Sequence, residues 1–166
     1  MIITGNTTLD GEHHGNIIIA KNGITLDCAG HDVTGDGSMG SIGINLVKRK
    51  NVTVKNCYVH DFTAGFVLNK SRGNTLEDNT AINNSVDGFF AFRSSNNRLV
   101  ENTAEFNGRN GFRVVGESPM NTLEENVAFD NDVSGSGAAS MPRTTSFPAG
   151  FDNVWVNNLF GTTDGF

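Results

Sequence analysis

Apolar residues in this chain fall into short runs that Asn, Gly and Asp interrupt, which favours many short strands and tight turns over helices. Segments that begin and end with Asn recur along the chain, with starts 23, 23, 24 and 32 residues apart. A fixed period of this length indicates stacked repeats. The segments are 51–56, 74–79, 97–102, 121–126 and 153–158.

A second marker has the same period, since Gly followed by Phe occurs at Gly65, Gly88 and Gly111, with Gly43-Ile44 upstream. Leucine-rich repeats have a similar length but need several Leu per repeat, and each repeat here has about one. A coil of three short strands fits better, stacked at the strand spacing of about 4.8 Å. The sequence therefore predicts an all-β fold, a parallel β-helix (solenoid) of about six coils.

Stacking turns the period into columns of identical side chains. Asn amides that lie above one another would bond along the axis and form a ladder. Val52 and Val54 alternate differently from Leu76, which predicts a local bulge between the early and late coils. The predicted ladders are Asn56, Asn79, Asn102, Asn126 and Asn158 above Cys28, and Asp61, Asn84, Asn107 and Asn131. The predicted core columns are Leu76, Leu99 and Leu123; Ala81, Ala104 and Ala128; and Phe66, Phe89 and Phe112.

The period also divides the chain. We expect one domain over 1–166, because a solenoid needs caps at its open ends. Residues 1–22 would form an N-terminal cap or first strand, and 159–166 a C-terminal tail. The interval from 121 to 153 is longer than one repeat, and its additional residues fall at 133–150. This segment is rich in Gly, Ser, Ala and Pro, and we expect a protruding loop that is either a plain insertion or a lid.

Composition limits the function. A net charge of -6 disfavours nucleic-acid binding, and no apolar run is long enough to span a membrane. No signal-peptide pattern is present, so the chain is either cytosolic or a mature segment. The two cysteines, Cys28 and Cys57, are one position out of register, so we expect two buried thiols, with a disulfide as the alternative.

Residues 24–35, 43–46 and 51–54, with the Asn-x-Ala and Gly-Phe repeats after them, resemble the right-handed parallel β-helix repeat proteins of the pectin-lyase-like superfamily, the group with carbohydrate-binding and sugar-hydrolase type repeats. The resemblance covers about 15–160. It implies a right-handed solenoid, a carbohydrate-related role, and a secreted, cell-surface or periplasmic location. Tyr58-Val-His60-Asp61 only partly matches the Asp-Pro-His-Asp segment of uronate epimerases, so we read it as a turn filler rather than a catalytic pair.

Two charged columns follow from the alignment. Lys48, Lys70 and Arg93 would stack in successive coils and suit an anionic polysaccharide, or form a solvated turn. Asp78, Glu101 and Glu125, aligned after Lys55, would either bind Ca²⁺ or form a solubilising stripe. No other cofactor is expected.

An apolar stripe accompanies the basic column. If the Phe66 column points inward, strand alternation turns Phe90, Phe92 and Arg113 outward. Two exposed Phe rings would be covered by the loop or tail, join copies into a homo-oligomer, or stack on a sugar.

These features predict a non-catalytic module that binds a polysaccharide or serves as a scaffold. The alternatives are a lyase or uronate epimerase using Lys70, Arg93 or Arg113 as charge partner, and a structural protein that assembles through the Phe stripe. No complete catalytic set is visible, which leaves enzymatic activity open.

Overall fold

The computed structural model describes residues 1–131 and 152–161, and every regular element in this part of the chain is a β-strand. The strands form three sheets in which all neighbours are parallel and non-consecutive in the chain. That order is a parallel β-solenoid, as the sequence predicts. The predicted loop at 133–150 lies outside the described residues.

Sheet A has six strands with up to six residues each and pairs in register from the first coil to the sixth. Its longer strands place a broad outer face between two turns. The strands of sheet A are β1 (Ile2–Ile3), β4 (Ile17–Ile19), β7 (Ile42–Val47), β10 (Ala64–Asn69), β13 (Asp87–Phe92) and β16 (Asn110–Val115).

Sheets B and C have seven strands each, none longer than three residues. Sheet B consists of β2 (Thr7–Thr8), β5 (Thr25–Asp27), β8 (Thr53–Lys55), β11 (Thr75–Glu77), β14 (Arg98–Val100), β17 (Thr122–Glu124) and β19 (Val154–Val156). Sheet C consists of β3 (His13–His14), β6 (Asp32–Thr34), β9 (Tyr58–His60), β12 (Thr80–Ile82), β15 (Thr103–Glu105), β18 (Val127–Phe129) and β20 (Leu159–Gly161).

One strand from each sheet makes a coil, so the described residues form six coils, and β19 and β20 belong to a seventh. Coil 1 is β1–β3, coil 2 is β4–β6, coil 3 is β7–β9, coil 4 is β10–β12, coil 5 is β13–β15 and coil 6 is β16–β18. Residues 1–22, predicted as an N-terminal cap or first strand, contain all three strands of coil 1 and the first strand of coil 2. Residues 159–161, predicted to begin the tail, form β20.

The predicted core columns are confirmed. The Phe66, Phe89 and Phe112 rings stack in parallel with centroids 4.6 and 4.7 Å apart, which matches the coil spacing. All three are buried, as are the Leu and Ala columns. The Gly before each Phe has a steric reason: a Cβ on Gly88 would lie 2.8 Å from the Gly111 carbonyl oxygen and 2.9 Å from Asn107 Nδ2.

Coils 4, 5 and 6 each place three buried or half-buried Asn at the corners, five residues apart, so the solenoid has three Asn ladders rather than two. Asn102 is typical. Its Nδ2 donates to Asn126 Oδ1 at 3.0 Å. Its Oδ1 accepts from Asn79 Nδ2 at 3.0 Å and from the backbone N–H of Asn79 at 3.1 Å. The ladders are Asn74, Asn97, Asn121 and Asn153; Asn79, Asn102, Asn126 and Asn158; and Asn84, Asn107 and Asn131.

The predicted ladder membership of Asn56 and Asp61 is wrong by one position. Coil 3 instead presents Val52, Cys57 and Phe62 at the three corners, and their N–H groups donate to the coil 4 Asn side chains. The predicted bulge is also wrong, because Val54 pairs directly with Leu76 and the register is continuous.

The two cysteines form a disulfide, so the expectation of buried thiols is wrong. Their Cα atoms are 4.8 Å apart. The turn between the sheet B and sheet C strands differs in length between the two coils. It has four residues in coil 2, 28–31, and two in coil 3, Asn56 and Cys57. The turn of coil 2 is thus two residues longer than that of coil 3, and the buried Cys28 bonds to Cys57 across it.

Candidate functional site

The turn between sheets A and B carries a concentrated positive charge, which we name the basic edge. In coils 2–5 this turn comprises 20–23, 48–51, 70–73 and 93–96, and none of these segments contains Asp or Glu. They hold seven of the twelve Lys and Arg residues of the chain, and none of the seven has an ion pair with a described residue. The basic edge is Lys21, Lys48, Arg49, Lys50, Lys70, Arg72 and Arg93.

Lys48, Lys70 and Arg93 stack as the alignment predicts. The residues before them, Val47, Asn69 and Phe92, are partners in sheet A, so the three cations occupy the same turn position in coils 3, 4 and 5. All three are exposed and left-handed, with φ of 56°, 52° and 49°. Since this backbone conformation recurs at many turns of the solenoid, the fold imposes it at all three positions.

Phe90 and Phe92 lie on the outer face of sheet A, 6.3 Å apart, next to the basic edge. Both rings face outward, as strand alternation predicts, and each is half-buried. The guanidinium of Arg113 lies 4.8 Å from the centre of the Phe90 ring, and that of Arg93 lies 5.1 Å from Phe92. Each ring is therefore partly covered by a cation.

Asp87 is a site residue that sequence reasoning missed. It stands at the start of β13, where the coil 4 partner is Ala64, and its side chain is only 3% exposed. Its carboxylate accepts from Asn110 Nδ2 at 2.6 Å and from Arg113 at 3.3 Å. This anchor fixes the guanidinium over Phe90. A charged residue within an otherwise apolar run was the available signal.

The opposite end of sheet B carries negative charge, which we name the acidic edge: Asp78, Glu101 and Glu125, in coils 4, 5 and 6. The three stack in one exposed column with φ near 53°. The negative charge of Asp78 and a hydrogen bond to it raise the pKa of Glu101, and Glu125 adds to the effect.

The predicted place of Lys55 in this column is wrong, because Lys55 pairs in register with Glu77. Lys55 forms an ion pair with Asp27, 3.3 Å away. Within 1–131 and 152–161, no three His, Cys, Asp or Glu side chains are grouped to hold a metal ion. Calcium binding stays a prediction.

A hydrogen-bonded chain crosses coils 1–3 on the outer face of sheet C. Asp61 Oδ2 lies 2.8 Å from His60 Nδ1, and His60 Nε2 lies 3.2 Å from the Thr34 hydroxyl. That hydroxyl also donates to Glu12 at 3.1 Å. The pair that the sequence suggested only as a turn filler is thus oriented as an acid–base pair would be. Thr34 borders an open groove of about 640 Å³ that reaches Asn45 and Phe62.

This chain and the basic edge lie at opposite ends of the sheet A strands. A six-residue strand spans about 17 Å, so Lys70 and Arg93 do not reach the His60 ring. The structure therefore does not combine Lys70 or Arg93 with the His60–Asp61 pair in one site.

The described residues include no helix long and apolar enough to cross a membrane. No significant match was found among curated proteins. Among solved structures, the chain is similar to a crystal structure of a mutant of the periplasmic alginate epimerase AlgG, with a TM-score of 0.55 and 16% sequence identity. The match covers 95% of this chain and 46% of that one, so this chain spans about half the length of the epimerase.

The family model described as the right handed beta helix region matches residues 1–154, nearly the whole chain. That match supplies the handedness expected from the sequence, and it agrees with the parallel sheets and the Asn ladders. The chain belongs to the right-handed β-helix family.

Proposed function

We propose that this protein is a carbohydrate-binding β-helix module that holds an anionic polysaccharide along the basic edge. The observation that carries the proposal is the stacked column Lys48, Lys70 and Arg93, in a turn without a carboxylate over four coils. A polymer with one negative charge per sugar repeats along its length, as the column does along the solenoid axis. Alginate, the substrate named for the structurally similar epimerase, is such a polymer.

The neighbouring aromatic residues support the same surface. Phe92 lies beneath Arg93 and beside Phe90, so a half-buried apolar strip borders the cations. Sugars present both hydroxyl-rich edges and apolar C–H faces, and the C–H faces stack on aromatic rings. A polymer lying along the basic edge would thus contact both charges and rings.

A location outside the cytoplasm is part of the proposal. The Cys28–Cys57 disulfide favours an oxidising compartment, because disulfides of this kind persist in the periplasm and outside cells. An anionic polysaccharide would be met there.

Isothermal titration calorimetry with alginate and polygalacturonate oligosaccharides tests the proposal, with a neutral β-glucan oligosaccharide as the ligand control. Lys70→Ala/Arg93→Ala should weaken binding about tenfold, since two exposed ion pairs contribute up to about 1 kcal/mol each. Arg109→Ala, an exposed cation on the turn between sheets C and A, should change nothing. Equal affinity for the neutral oligosaccharide, or an unchanged double variant, would contradict the proposal.

A second candidate, a lyase or epimerase, is favoured by one observation: the oriented Asp61–His60–Thr34 chain beside the groove. Incubation with uronate polymers, followed by ultraviolet absorbance for elimination and proton NMR for epimerisation, tests it. His60→Ala should abolish any activity, and His31→Ala, a histidine outside the groove, should retain it. A wild-type protein that binds the polymer without converting it would contradict this second candidate and support the binding module.

A further inference from the structure

The two charged edges flank the same sheet. Each short strand of sheet B begins just after the basic turn and ends at the acidic turn, so the edges face away from each other across it. The charges on both edges belong to one solenoid and therefore repeat at one coil spacing, about 4.8 Å. The two columns have the same length as well, because each spans three successive coils.

We propose that copies of this chain associate side by side, with the basic edge of one copy against the acidic edge of the next. A displacement of one coil along the axis places Lys48 opposite Asp78. The same displacement places Lys70 opposite Glu101, and Arg93 opposite Glu125. Three cations then meet three carboxylates, all of them exposed.

Like-charge stacking within each copy supports this arrangement. Charges of one sign directly above each other in a parallel stack repel, and each edge contains three of them. The pKa of Glu101 is raised, and the first cause is the charge of Asp78, which agrees with that repulsion. A column of opposite charge from a second copy would neutralise both columns at once.

The contact joins two different surfaces, so every copy keeps one free edge of each sign. Such a heterologous contact does not close on itself under simple translation, and it predicts rows whose length grows with protein concentration. The net charge of -6 opposes association at long range, but this repulsion is screened beyond about 8 Å at physiological ionic strength, whereas the paired side chains touch.

Sedimentation velocity at several protein concentrations tests the proposal. Wild-type protein should show a weight-average mass that rises above 17.8 kDa with concentration. Lys70→Glu/Arg93→Glu and Asp78→Lys/Glu101→Lys should each remain monomeric alone. An equimolar mixture of the two variants should associate again, because each supplies the edge that the other has reversed. Arg109→Glu reverses one exposed cation outside both edges, half the change in net charge made by Lys70→Glu/Arg93→Glu, and should associate like the wild type.

A monomeric wild type at every concentration would overturn the proposal, as would reversed variants that still associate or a mixture that does not. Far-ultraviolet circular dichroism checks the fold of each variant, and Lys70→Gln/Arg93→Gln replaces the reversal if it fails to fold. The test is separate from that of polysaccharide binding, because Asp78→Lys/Glu101→Lys should lose association and keep glycan affinity.

Discussion

Coil 3 and coil 5 meet the same requirement at their three corners with different chemistry. Coil 5 has Asn97, Asn102 and Asn107, and each amide bonds to the coils on both sides. Coil 3 has Val52, Cys57 and Phe62, which contribute apolar burial and only a backbone N–H. Each corner thus has to donate a hydrogen bond to the Asn side-chain oxygen of the next coil, and a backbone N–H is enough for that. A side-chain amide is needed only where the ladder continues to the coil before.

The difference separates two ways of joining coils. In coils 4–6, stacked amides satisfy buried polar groups and add hydrogen bonds along the axis. Where the ladder ends, coil 3 is joined to coil 2 by a covalent bond between Cys28 and Cys57. We therefore expect the early coils to depend on redox state and the late coils on the integrity of each amide.

Removal of the disulfide should have the largest effect. Cys28→Ala/Cys57→Ala opens a loop with a sequence separation of 29. Chain entropy predicts a loss of about 3 to 4 kcal/mol in the free energy of unfolding. Because contacts in a solenoid join neighbouring coils only, amide hydrogen exchange should quicken in coils 2 and 3 and change little in coil 5. Urea unfolding and exchange mass spectrometry measure both, and equal acceleration along the whole stack would erase the proposed distinction.

A break in the ladder should have a smaller but still large effect. Asn102→Ala removes the acceptor for two donors of Asn79 and one donor to the Leu76 carbonyl. Stranding these buried groups should cost about 2 to 3 kcal/mol in urea unfolding. The control is Asn96→Gly, an exposed Asn with φ of 55° that Gly tolerates, which should cost under about 0.5 kcal/mol. Similar losses in the two variants would show that the ladder hydrogen bonds add no stability beyond that of an exposed turn Asn.

The two positions that Asn occupies also explain why the sequence predicted the stack but misplaced part of its register. Asn favours the left-handed turn position and also suits the ladder position next to it. Asn51 and Asn56 occupy the former, with φ of 54° and 55°, and Asn74 and Asn79 the latter. Spacing alone does not separate the two uses. The Gly-Phe marker has one steric role, and it aligned Lys48, Lys70 and Arg93 correctly.

The site was less predictable for a different reason. The stacked charges follow from the period, and so could be foreseen. Asp87 and Arg113 lie in adjacent coils but three residues apart in the strand register, so the period does not place them together. The cysteines were misjudged because the turn of coil 2 has two residues more than that of coil 3. The flanking strands stay in register, so the repeat period does not show how this longer turn places Cys28.

The smallest predicted effect compares one carboxyl from each region, Asp27 in coil 2 and Glu101 in coil 5. A hydrogen bond from Asn56, together with bonds from the Ala29 backbone and Lys55, lowers the pKa of Asp27. The neighbouring Asp78 raises the pKa of Glu101. The stabilisation from Asp27 is thus present above its ordinary pKa of 3.8 and lost as the pH falls through the lower, folded value.

Glu101 has the opposite sign: its contribution is fully present below its ordinary pKa of 4.5 and is lost as the pH rises through the folded value. At neutral pH, Asp27→Asn should therefore lower the melting temperature slightly, whereas Glu101→Gln should raise it slightly. Both differences should shrink below the pH at which each carboxyl is protonated in the wild type. Melting curves recorded at neutral and acid pH decide this, and two shifts of the same sign would mean that Asp27 in coil 2 and Glu101 in coil 5 do not differ in charge balance.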